Sequence, residues 1–265
     1  MDVEVAVEGM PETSKGVSTV SIRAPNKKRI ALAARKGGVG KTTICCGIAS
    51  LLAASGRRTL VVDLDPQSNA AFALGVDPGV RGMVEALLGH PVLPQRADDN
   101  LWVYAGGPAL QGHDIAALDS EELRDLSDRL DYDIILFDCP PSSEALERLG
   151  VVAADLALVI VDAHPFAMMG ASRVLEVISQ RRIRQRPVPG SVALVQSRID
   201  SRRSLDRDLE GALQLAYPDI NLLRVRQDSA LAASTTDRIP LSRSASDSRG
   251  VKDLLTIMEW IDEKA

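Results

Sequence analysis

The 265-residue sequence predicts an α/β fold in which a mostly parallel, twisted sheet lies between helices on both of its faces. Short apolar runs alternate along the chain with segments of helical periodicity. The runs are apolar at successive positions, which is typical of strands that are buried on both faces. Several of the runs end in an aspartate or in a glycine-rich loop, and ligands of open α/β sheets bind at that carboxyl edge.

The predicted strands are the apolar runs at 30–34, 59–62, 101–104, 134–137, 156–161 and 192–195. A helix is expected from residue 42 to about residue 55, because its apolar side chains share one face and Gly56 ends the pattern. A short helix is expected at 82–88, inside a loop-rich insertion at 77–100. The last fifteen residues have apolar positions at helical spacing, and we expect a terminal helix that packs on the core.

Residues 1–28 are expected to form a flexible leader and residues 29–265 a single domain. Val3, Val5 and Val7 alternate with other residues, which would suit a short edge strand, but the rest of the leader is polar and rich in turn formers. No internal repeat and no second boundary interrupts the pattern after residue 29. A chain of this length can bury one large core.

The composition excludes several classes of protein. No apolar stretch approaches the roughly 20 residues that span a bilayer, and three cysteines make neither a disulfide framework nor a metal quartet. Both observations favour a cytoplasmic protein. The net charge is −5, so a nucleic-acid partner would need a local basic patch. Aromatic residues make up only 3% of the chain, which argues against base-stacking platforms for single strands.

The most informative segment is a glycine-rich loop between the first strand and the first helix, where the chemistry of phosphate binding requires it. Its residues are Lys36, Gly37, Gly38, Val39, Gly40, Lys41, Thr42 and Thr43. The glycines let the backbone wrap around an anion. Lys41 is expected to reach the β- and γ-phosphates, Thr42 to ligate Mg²⁺, and Thr43 to lie near the α-phosphate. We therefore predict a single P-loop NTPase domain.

The loop departs from the standard G-x-x-x-x-G-K-[ST] pattern at one position. The first glycine of that pattern would fall at position 35, which is Arg35, and Lys36 follows it directly. Lys36 is a second lysine that the binding of phosphate does not require.

Aspartates follow two of the predicted strands. Asp63 and Asp65 lie at the end of the second strand, and their spacing of two on an extended segment predicts that both face the nucleotide. One carboxylate could hold Mg²⁺ through water and the other could orient the attacking water. We assign the metal role to Asp63 and the catalytic role to Asp65. Asp138, which ends the most apolar strand, is predicted to be a further ligand of Mg²⁺.

Three segments together resemble the motifs of the ParA/MinD partition ATPases, a family with a deviant Walker A loop. They are residues 36–43, 63–69 and 137–142, which are similar to the family's Walker A, A′ and Walker B motifs. The resemblance extends from about residue 29 to the end of the chain. It is strongest to ParA-like proteins that segregate DNA.

The resemblance implies an ATP-dependent switch. Lys36 would be the signature lysine that reaches the nucleotide of a second subunit, so that ATP forms a homodimer; Lys36, Lys41 and Asp65 would be the catalytic residues. Arg226 would lie near the nucleotide. Basal hydrolysis of ATP would be slow and would be stimulated by a ParB-like adaptor protein. ATP and Mg²⁺ are the implied cofactors.

Two positions depart from the family's pattern of base recognition. An asparagine on the adenine side is expected shortly after the strand at 192–195, but Gln196, Ser197 and Arg198 stand there. A later segment that often reads Pro-Arg-Asn is Val225, Arg226 and Gln227 in this chain. The residues that recognise the base therefore stay open.

Arginines are concentrated in the second half of the chain. Eight of them lie between residues 173 and 203, where the only acids are Glu176 and Asp200, so this stretch carries a local charge of +6. In a dimer, such a patch would bind duplex phosphates without reading bases, and the family resemblance implies the same nonspecific binding of DNA on the nucleoid. The alternative is that these arginines are only solvated surface residues.

A membrane partner is not expected. MinD-like proteins carry a basic amphipathic C-terminal helix, whereas the segment 251–265 has two lysines against four acids, a net charge of −2. Two other functions stay open. One is a metabolic P-loop ligase or synthetase that uses ATP to activate a small acid, and the other is a nonenzymatic scaffold that merely holds nucleotide.

Overall fold

The computed structural model describes residues 27–80, 82–112, 115, 117–118, 121–244 and 247–264. The predicted leader therefore lies outside the described residues, except for Lys27 and Lys28, and so does the alternation of valines near the N-terminus. The division at residue 28 stays a prediction. Lys28 is already part of the first strand.

The described residues form an eight-stranded sheet in the order β3-β4-β2-β5-β1-β6-β7-β8. All neighbouring strands pair in parallel except β3 and β4, which are antiparallel. The strands are β1 (Lys28–Ala33), β2 (Thr59–Asp63), β3 (Gln95–Asp98), β4 (Leu101–Tyr104), β5 (Ile134–Asp138), β6 (Leu156–Val161), β7 (Ser191–Ile199) and β8 (Asn221–Arg226). The predicted α/β class and the six predicted strands are confirmed.

The strands β3 and β8 were not among the predicted strands. Both are edge strands of the sheet, with polar or charged residues at several positions, so neither gives the continuous apolar run that marks a buried strand.

Helices connect the strands. They are α1 (Lys41–Ala54), α2 (Asn69–Ala73), α3 (Met83–Leu87), α4 (Glu122–Arg129), α5 (Glu144–Ala153), α6 (Ala167–Ile183), α7 (Ser204–Ala216), α8 (Ser229–Asp237), α9 (Leu241–Ser244) and α10 (Arg249–Glu263), with a short 3₁₀ turn at Pro108–Gln111. The predicted helices after the glycine-rich loop and within the insertion at 77–100 are both present as α1 and α3.

The helices cover both faces of the sheet, as the apolar strands require. Ile30 and Leu32 of β1 belong to one core, which includes residues of α1 and α10, whereas Ala31 and Ala33 belong to the other core, which includes residues of α5 and α6. Side chains alternate between the faces of a strand, so a strand that is apolar at every position needs helices on both sides.

The terminal helix α10 packs on the core, as predicted. Leu254, Ile257 and Ile261 lie on one face at helical spacing and have no measurable exposure. In the part of the chain that the structure describes, we find no helix with the length and apolar content that crossing a membrane requires.

Candidate nucleotide-binding site

The fold creates a crevice at the carboxyl end of β1. From β1 the chain continues to β2, towards the β3 edge of the sheet, whereas from β5 it continues to β6, towards the β8 edge. The direction in which the chain adds strands therefore reverses around β1. The helices that follow these two strands, α1 and α5, accordingly lie on opposite faces. Open α/β sheets bind ligands at such switch points, and this is where the glycine-rich loop lies.

The loop is shaped for close approach to an anion. Gly38 and Gly40 have φ angles of +76° and +87°, the left-handed region that side chains other than glycine rarely adopt. Gly40 is the N-cap of α1 and no side chain caps this helix end, so the first N–H groups of α1 have no side-chain acceptor. An uncapped N-terminus of a 14-residue helix beside a left-handed loop suits a phosphate group.

At the centre of the site, Asp138 binds both Lys41 and Thr42. Lys41 Nζ lies 2.5 Å from Asp138 Oδ1, and Thr42 Oγ1 donates a hydrogen bond of 2.7 Å to Asp138 Oδ2. Asp138 has no exposed surface and Lys41 is 6% exposed. Burial alone would lower the pKa of Lys41, but the Asp138 carboxylate outweighs it and raises the pKa above its ordinary value. Lys41 is therefore charged at every physiological pH.

The structure separates the two aspartates at the end of β2. Asp63 is fully buried, and its carboxylate accepts hydrogen bonds from the backbone N–H groups of Asp65, Ala70 and Ala71 at 2.8–3.1 Å. The last two groups belong to the start of α2. Burial, with the nearby charge of Asp138, raises the pKa of Asp63. Asp63 thus fixes the turn and the helix that follow β2.

Asp65, in contrast, lines a cavity of about 690 Å³ together with the glycine-rich loop. Its carboxylate accepts a hydrogen bond of 2.9 Å from the backbone N–H of Gln67. The spacing rule does not place both carboxylates on the cavity, because β2 ends at Asp63 and Asp65 begins the turn that follows. The metal role of Asp63 stays a prediction that its three backbone hydrogen bonds do not favour.

The CobQ/CobB/MinD/ParA nucleotide binding domain matches residues 30–241. The chain belongs to this family. It is 34% identical over 196 residues to the chromosome-partitioning ATPase Soj of Thermus thermophilus, which covers 72% of this chain and 77% of Soj. It is 31% identical to the chromosome partitioning protein ParA of Caulobacter vibrioides, over 72% of this chain and 76% of that protein.

Solved structures show the same fold. Apo McdA of a Cyanothece species superimposes with a TM-score of 0.77 at 21% identity, over 90% of this chain and 99% of McdA. Cobyrinic acid a,c-diamide synthase of Mycobacterium smegmatis, solved with ADP and magnesium, has a TM-score of 0.67 at 28% identity, over 79% of this chain and 90% of the synthase. The predictions of a ParA/MinD-type ATPase and of its fold are confirmed, and ATP with Mg²⁺ agrees with these relatives.

The residues of this CobQ/CobB/MinD/ParA domain fit a magnesium ion. The Thr42 hydroxyl and the Asp138 carboxylate supply the oxygen donors that Mg²⁺ prefers. Among the described residues, no group of three or more His, Cys, Asp or Glu could hold a metal by itself. Mg²⁺ is commonly bound by one or two protein oxygens together with substrate phosphates and water, so it does not require such a group.

The second lysine of the loop, Lys36, has a carboxylate partner in the same chain. Lys36 Nζ lies 3.1 Å from the Asp162 carboxylate, which follows β6 directly. The side chain of Lys36 is 45% exposed, whereas that of Asp162 is 14% exposed. Lys36 therefore lies at the rim of the site and Lys41 at its centre.

Arg35, at the position of the missing glycine, ties the loop to α5. Its guanidinium pairs with Glu144 at 2.8 Å and with Glu147 at 3.1 Å. Glu147 is 3% exposed, and burial raises its pKa to about 7 in spite of the neighbouring arginine. Sequence analysis missed Glu147; the only signal was a pair of acids at positions i and i+3 of a helix, which is common on helix surfaces.

The end of β7 holds the loop from a third side, and this too was missed. Ser197 Oγ donates to the carbonyl oxygen of Val39 at 2.6 Å and lies 3.1 Å from that of Val161. Arg198 Nη1 donates to the carbonyl oxygen of Gly38 at 2.8 Å. Arg198 has a φ angle of +55°, a backbone conformation that such a residue rarely adopts.

Beside this contact lies a second cavity, of about 500 Å³, lined by Gly40, Thr43, Arg198, Arg226 and Gln227. Arg226, which was predicted to lie near the nucleotide, lines this adjoining cavity, and its guanidinium is paired with Asp253 of α10 and also donates to the carbonyl oxygen of Arg249. Its place near a nucleotide stays a prediction. Ser197, which stands in the region of the family's asparagine, is buried, and its hydroxyl is bound to the loop.

Proposed function

We propose that this protein is an ATP-driven dimerising switch that binds duplex DNA without sequence preference and positions a DNA or protein cargo. A ParB-like adaptor protein would stimulate hydrolysis and release the switch from the nucleoid. The proposal rests on the different positions of two lysines of one loop: Lys41 lies inside the site and Lys36 lies at its rim.

ATP and Mg²⁺ are proposed as the ligands because the cavity beside the loop contains the groups that a nucleoside triphosphate needs. The loop supplies backbone N–H groups and Lys41 to the phosphates, while Thr42 and Asp138 supply oxygens for the metal. Bound magnesium would neutralise phosphate charge. Asp65 lines the cavity and is 7% exposed as a residue, so we propose that it orients the attacking water.

A second subunit is proposed because one subunit leaves Lys36 without a catalytic task. Its Nζ points to β6 rather than to Asp138, and nearly half of the side chain is exposed. A cation supplied in trans accelerates phosphoryl transfer by about 10³–10⁵-fold in other systems. In a dimer, Lys36 could supply such a cation to the neighbouring copy that faces it.

Sedimentation velocity with a slowly hydrolysed ATP analogue tests the dimer. We expect wild type to dimerise with the analogue, and Lys36→Ala and Lys41→Gln to stay monomeric. Lys252→Ala removes another exposed lysine that pairs with an aspartate and is the matched control. Asp65→Ala should accumulate as a dimer with ATP itself. A monomeric wild type, or a Lys36→Ala protein that dimerises normally, would contradict the proposal.

Ion pairs limit which arginines in the second half of the chain can offer an uncompensated charge to DNA. Seven of the arginines in the second half of the chain are paired with carboxylates: Arg202 with Asp200, Arg203 with Asp206, Arg224 with Glu210, Arg226 with Asp253, Arg243 with Asp98, and Arg181 and Arg186 both with Glu121, so that these two arginines share one carboxylate. These pairs reduce the positive potential that such residues offer to DNA.

The DNA contact is therefore proposed at the end of α6. Arg182, Arg184 and Arg186 are exposed there within five residues. Arg182 donates to the carbonyl oxygen of Pro189, which leaves its charge uncompensated, and Arg186 lies 3.7 Å from Glu121 with 66% of its side chain exposed. In a dimer the cluster would occur twice.

The test is binding to random duplex DNA as a function of salt, with the ATP analogue, with ADP and without nucleotide. We expect a steep salt dependence only with the analogue. Replacing Arg182, Arg184 and Arg186 together by Gln should reduce the slope by about 0.9 for each lost phosphate contact. Arg202→Gln, an 87% exposed but paired arginine, should leave the slope unchanged. Binding that ignores nucleotide or the triple substitution would contradict the proposal.

A ligase or synthetase is the second candidate, and the 28% identity to cobyrinic acid a,c-diamide synthase favours it. Such an enzyme needs a site for a small acid beside the triphosphate. The two candidates differ in what accelerates release of phosphate: a carboxylic acid with an amine donor for the ligase, and DNA with an adaptor for the switch. If the release of phosphate stayed near zero with every partner, the remaining candidate would be the nonenzymatic scaffold that holds nucleotide.

A further inference from the structure

Asp162 is a carboxylate that the proposed chemistry of the nucleotide site does not use, and both of its oxygens bind Lys36. Nζ of Lys36 lies 3.2 Å from Oδ1 and 3.1 Å from Oδ2. We propose that Asp162 is a positioning residue: it holds Lys36 inside its own subunit and thereby sets the concentration of ATP at which the dimer forms. This inference rests on the proposed function, since it presupposes a dimer to which Lys36 contributes.

The two partners of this ion pair differ in mobility. Asp162 directly follows β6, which pairs with β1 in the centre of the sheet, and its side chain is 14% exposed. Lys36 belongs to the loop, and its side chain is 45% exposed on a flexible four-carbon stem. The carboxylate is therefore fixed, while the ammonium group can leave without movement of the sheet.

The surroundings of the pair suit a surface that a second copy covers. Lys36 and Asp162 line a cavity of about 240 Å³ together with Phe166, Met169 and Arg173. Phe166 is 64% exposed and Met169 is 48% exposed, so two large apolar side chains stand in water next to the pair. Within the described chain, Arg173 has no carboxylate at ion-pair distance, so it is a cation available to Asp162 once Lys36 has left.

The strength of the ion pair between Lys36 and Asp162 determines how far its removal can shift the equilibrium between monomer and dimer. A partly exposed ion pair shifts an equilibrium by roughly 1.5- to 5-fold. A symmetric dimer breaks two such pairs, because each subunit gives up its own lysine. The effects multiply, so removing the pair should favour the dimer by roughly 2- to 25-fold.

Asp162→Asn is the informative variant, since it keeps the shape of the side chain and removes the charge. Two measurements are needed. The first is the rate at which an amine-acylating reagent labels Lys36 in the nucleotide-free protein, measured by mass spectrometry. The second is the concentration of a slowly hydrolysed ATP analogue, with Mg²⁺, that gives half-maximal dimer in sedimentation velocity.

We expect Asp162→Asn to label faster at Lys36. A symmetric dimer binds two nucleotides, so the analogue concentration for half-maximal dimer should fall with the square root of the gain in dimer formation, to about 1.5- to 5-fold below that of wild type. Asp98→Asn is the matched control, because Asp98 is likewise a mostly buried carboxylate paired with an exposed cation, Arg243 on α9. It should change neither measurement. In a Lys36→Ala background, which is expected to stay monomeric, Asp162→Asn should not restore the dimer.

The possible outcomes distinguish a failure of the proposed role of Asp162 from a failure of the proposed switch. If wild type dimerises but Asp162→Asn needs the same or more analogue, or labels no faster at Lys36, the role of Asp162 is refuted and the dimer stands. If neither protein dimerises with the analogue, the switch itself is refuted, and the role of Asp162 is refuted with it.

Discussion

The two lysines of the glycine-rich loop lie five residues apart and in opposite environments. Lys41 is buried against a fully buried Asp138, while Lys36 is half-exposed and pairs with Asp162 at the rim. The inner pair can separate only when other charges replace it, because an isolated buried charge is costly. The rim pair can separate into water. One short loop thus combines a rigid centre, suited to phosphate chemistry, with an exchangeable edge, suited to an encounter with another molecule.

The largest expected effect tests the rigid centre. Asp138→Ala leaves the buried Lys41 ammonium without its carboxylate, and breaking a buried pair in this way costs about 3–5 kcal/mol of stability. Urea unfolding of the nucleotide-free protein measures it. The double variant Asp138→Ala with Lys41→Met should recover most of the loss. A single variant as stable as wild type would show that the centre is not held by this pair.

The next effect concerns the support of the loop by α5. Burial raises the pKa of Glu147 from 4.5 to about 7, so the folded protein binds more protons than the unfolded chain across that window. Stability should therefore fall as the pH rises from about 4.5 to about 7, by up to about 3 kcal/mol.

Glu147→Gln isolates this contribution, because Gln does not titrate. Asp63, whose pKa is also raised, contributes to the pH dependence of both proteins. The difference between wild type and Glu147→Gln in urea unfolding at pH 5, 6, 7 and 8 should shift in favour of the variant as the pH rises. A constant difference would contradict a raised pKa at Glu147.

A smaller effect is expected where β7 contacts the loop. Ser197→Ala removes a buried hydroxyl that donates to the carbonyl oxygen of Val39, which should cost about 1–3 kcal/mol of stability. The loop carries the phosphate site, so the KM for ATP should rise more than kcat falls. Ser204→Ala, which replaces an exposed serine at the start of α7, is the control. An unchanged KM for ATP would show that the hydrogen bond between Ser197 and Val39 does not contribute to nucleotide binding.

The smallest effect on stability is expected at the rim. Lys36→Ala breaks a half-exposed pair and should change the free energy of unfolding by no more than about 1 kcal/mol, although it should abolish dimerisation. Thermal unfolding without nucleotide provides the comparison with Asp138→Ala. If Lys36→Ala destabilised the protein as much as Asp138→Ala, the distinction between centre and edge would disappear.

The sequence predicted the central features of the fold because they depend on local patterns. Strands buried on both faces give continuous apolar runs, and the glycine-rich loop has a spacing that few other structures share. The edge strands β3 and β8 lack such runs. Each pairs with one neighbouring strand only, and many of its side chains are partly or fully exposed to water. Their residues carried no signal that distinguishes them from loops.

The site was predicted less completely, because several of its contacts join distant parts of the chain. Arg35 and Glu147, or Gly38 and Arg198, meet only after the sheet has assembled. The orientation of Asp63 depends on a turn that a periodicity of two cannot describe. Lys36 and Lys41 were recognised from the motif, but their different burial follows from their partners. Asp138 ends β5 and Asp162 follows β6, and these two strands lie on either side of β1.

The thiols of this protein are all placed where oxidants cannot easily reach them. Cys45 and Cys46 lie in the first turns of α1 and Cys139 follows Asp138, and all three are buried in the two cores. Burial raises the pKa of each thiol, so almost none is present as the reactive thiolate. The catalytic centre should therefore keep its shape during oxidative stress, and a cysteine introduced on the surface should accept a fluorescent dye selectively without prior removal of the native three.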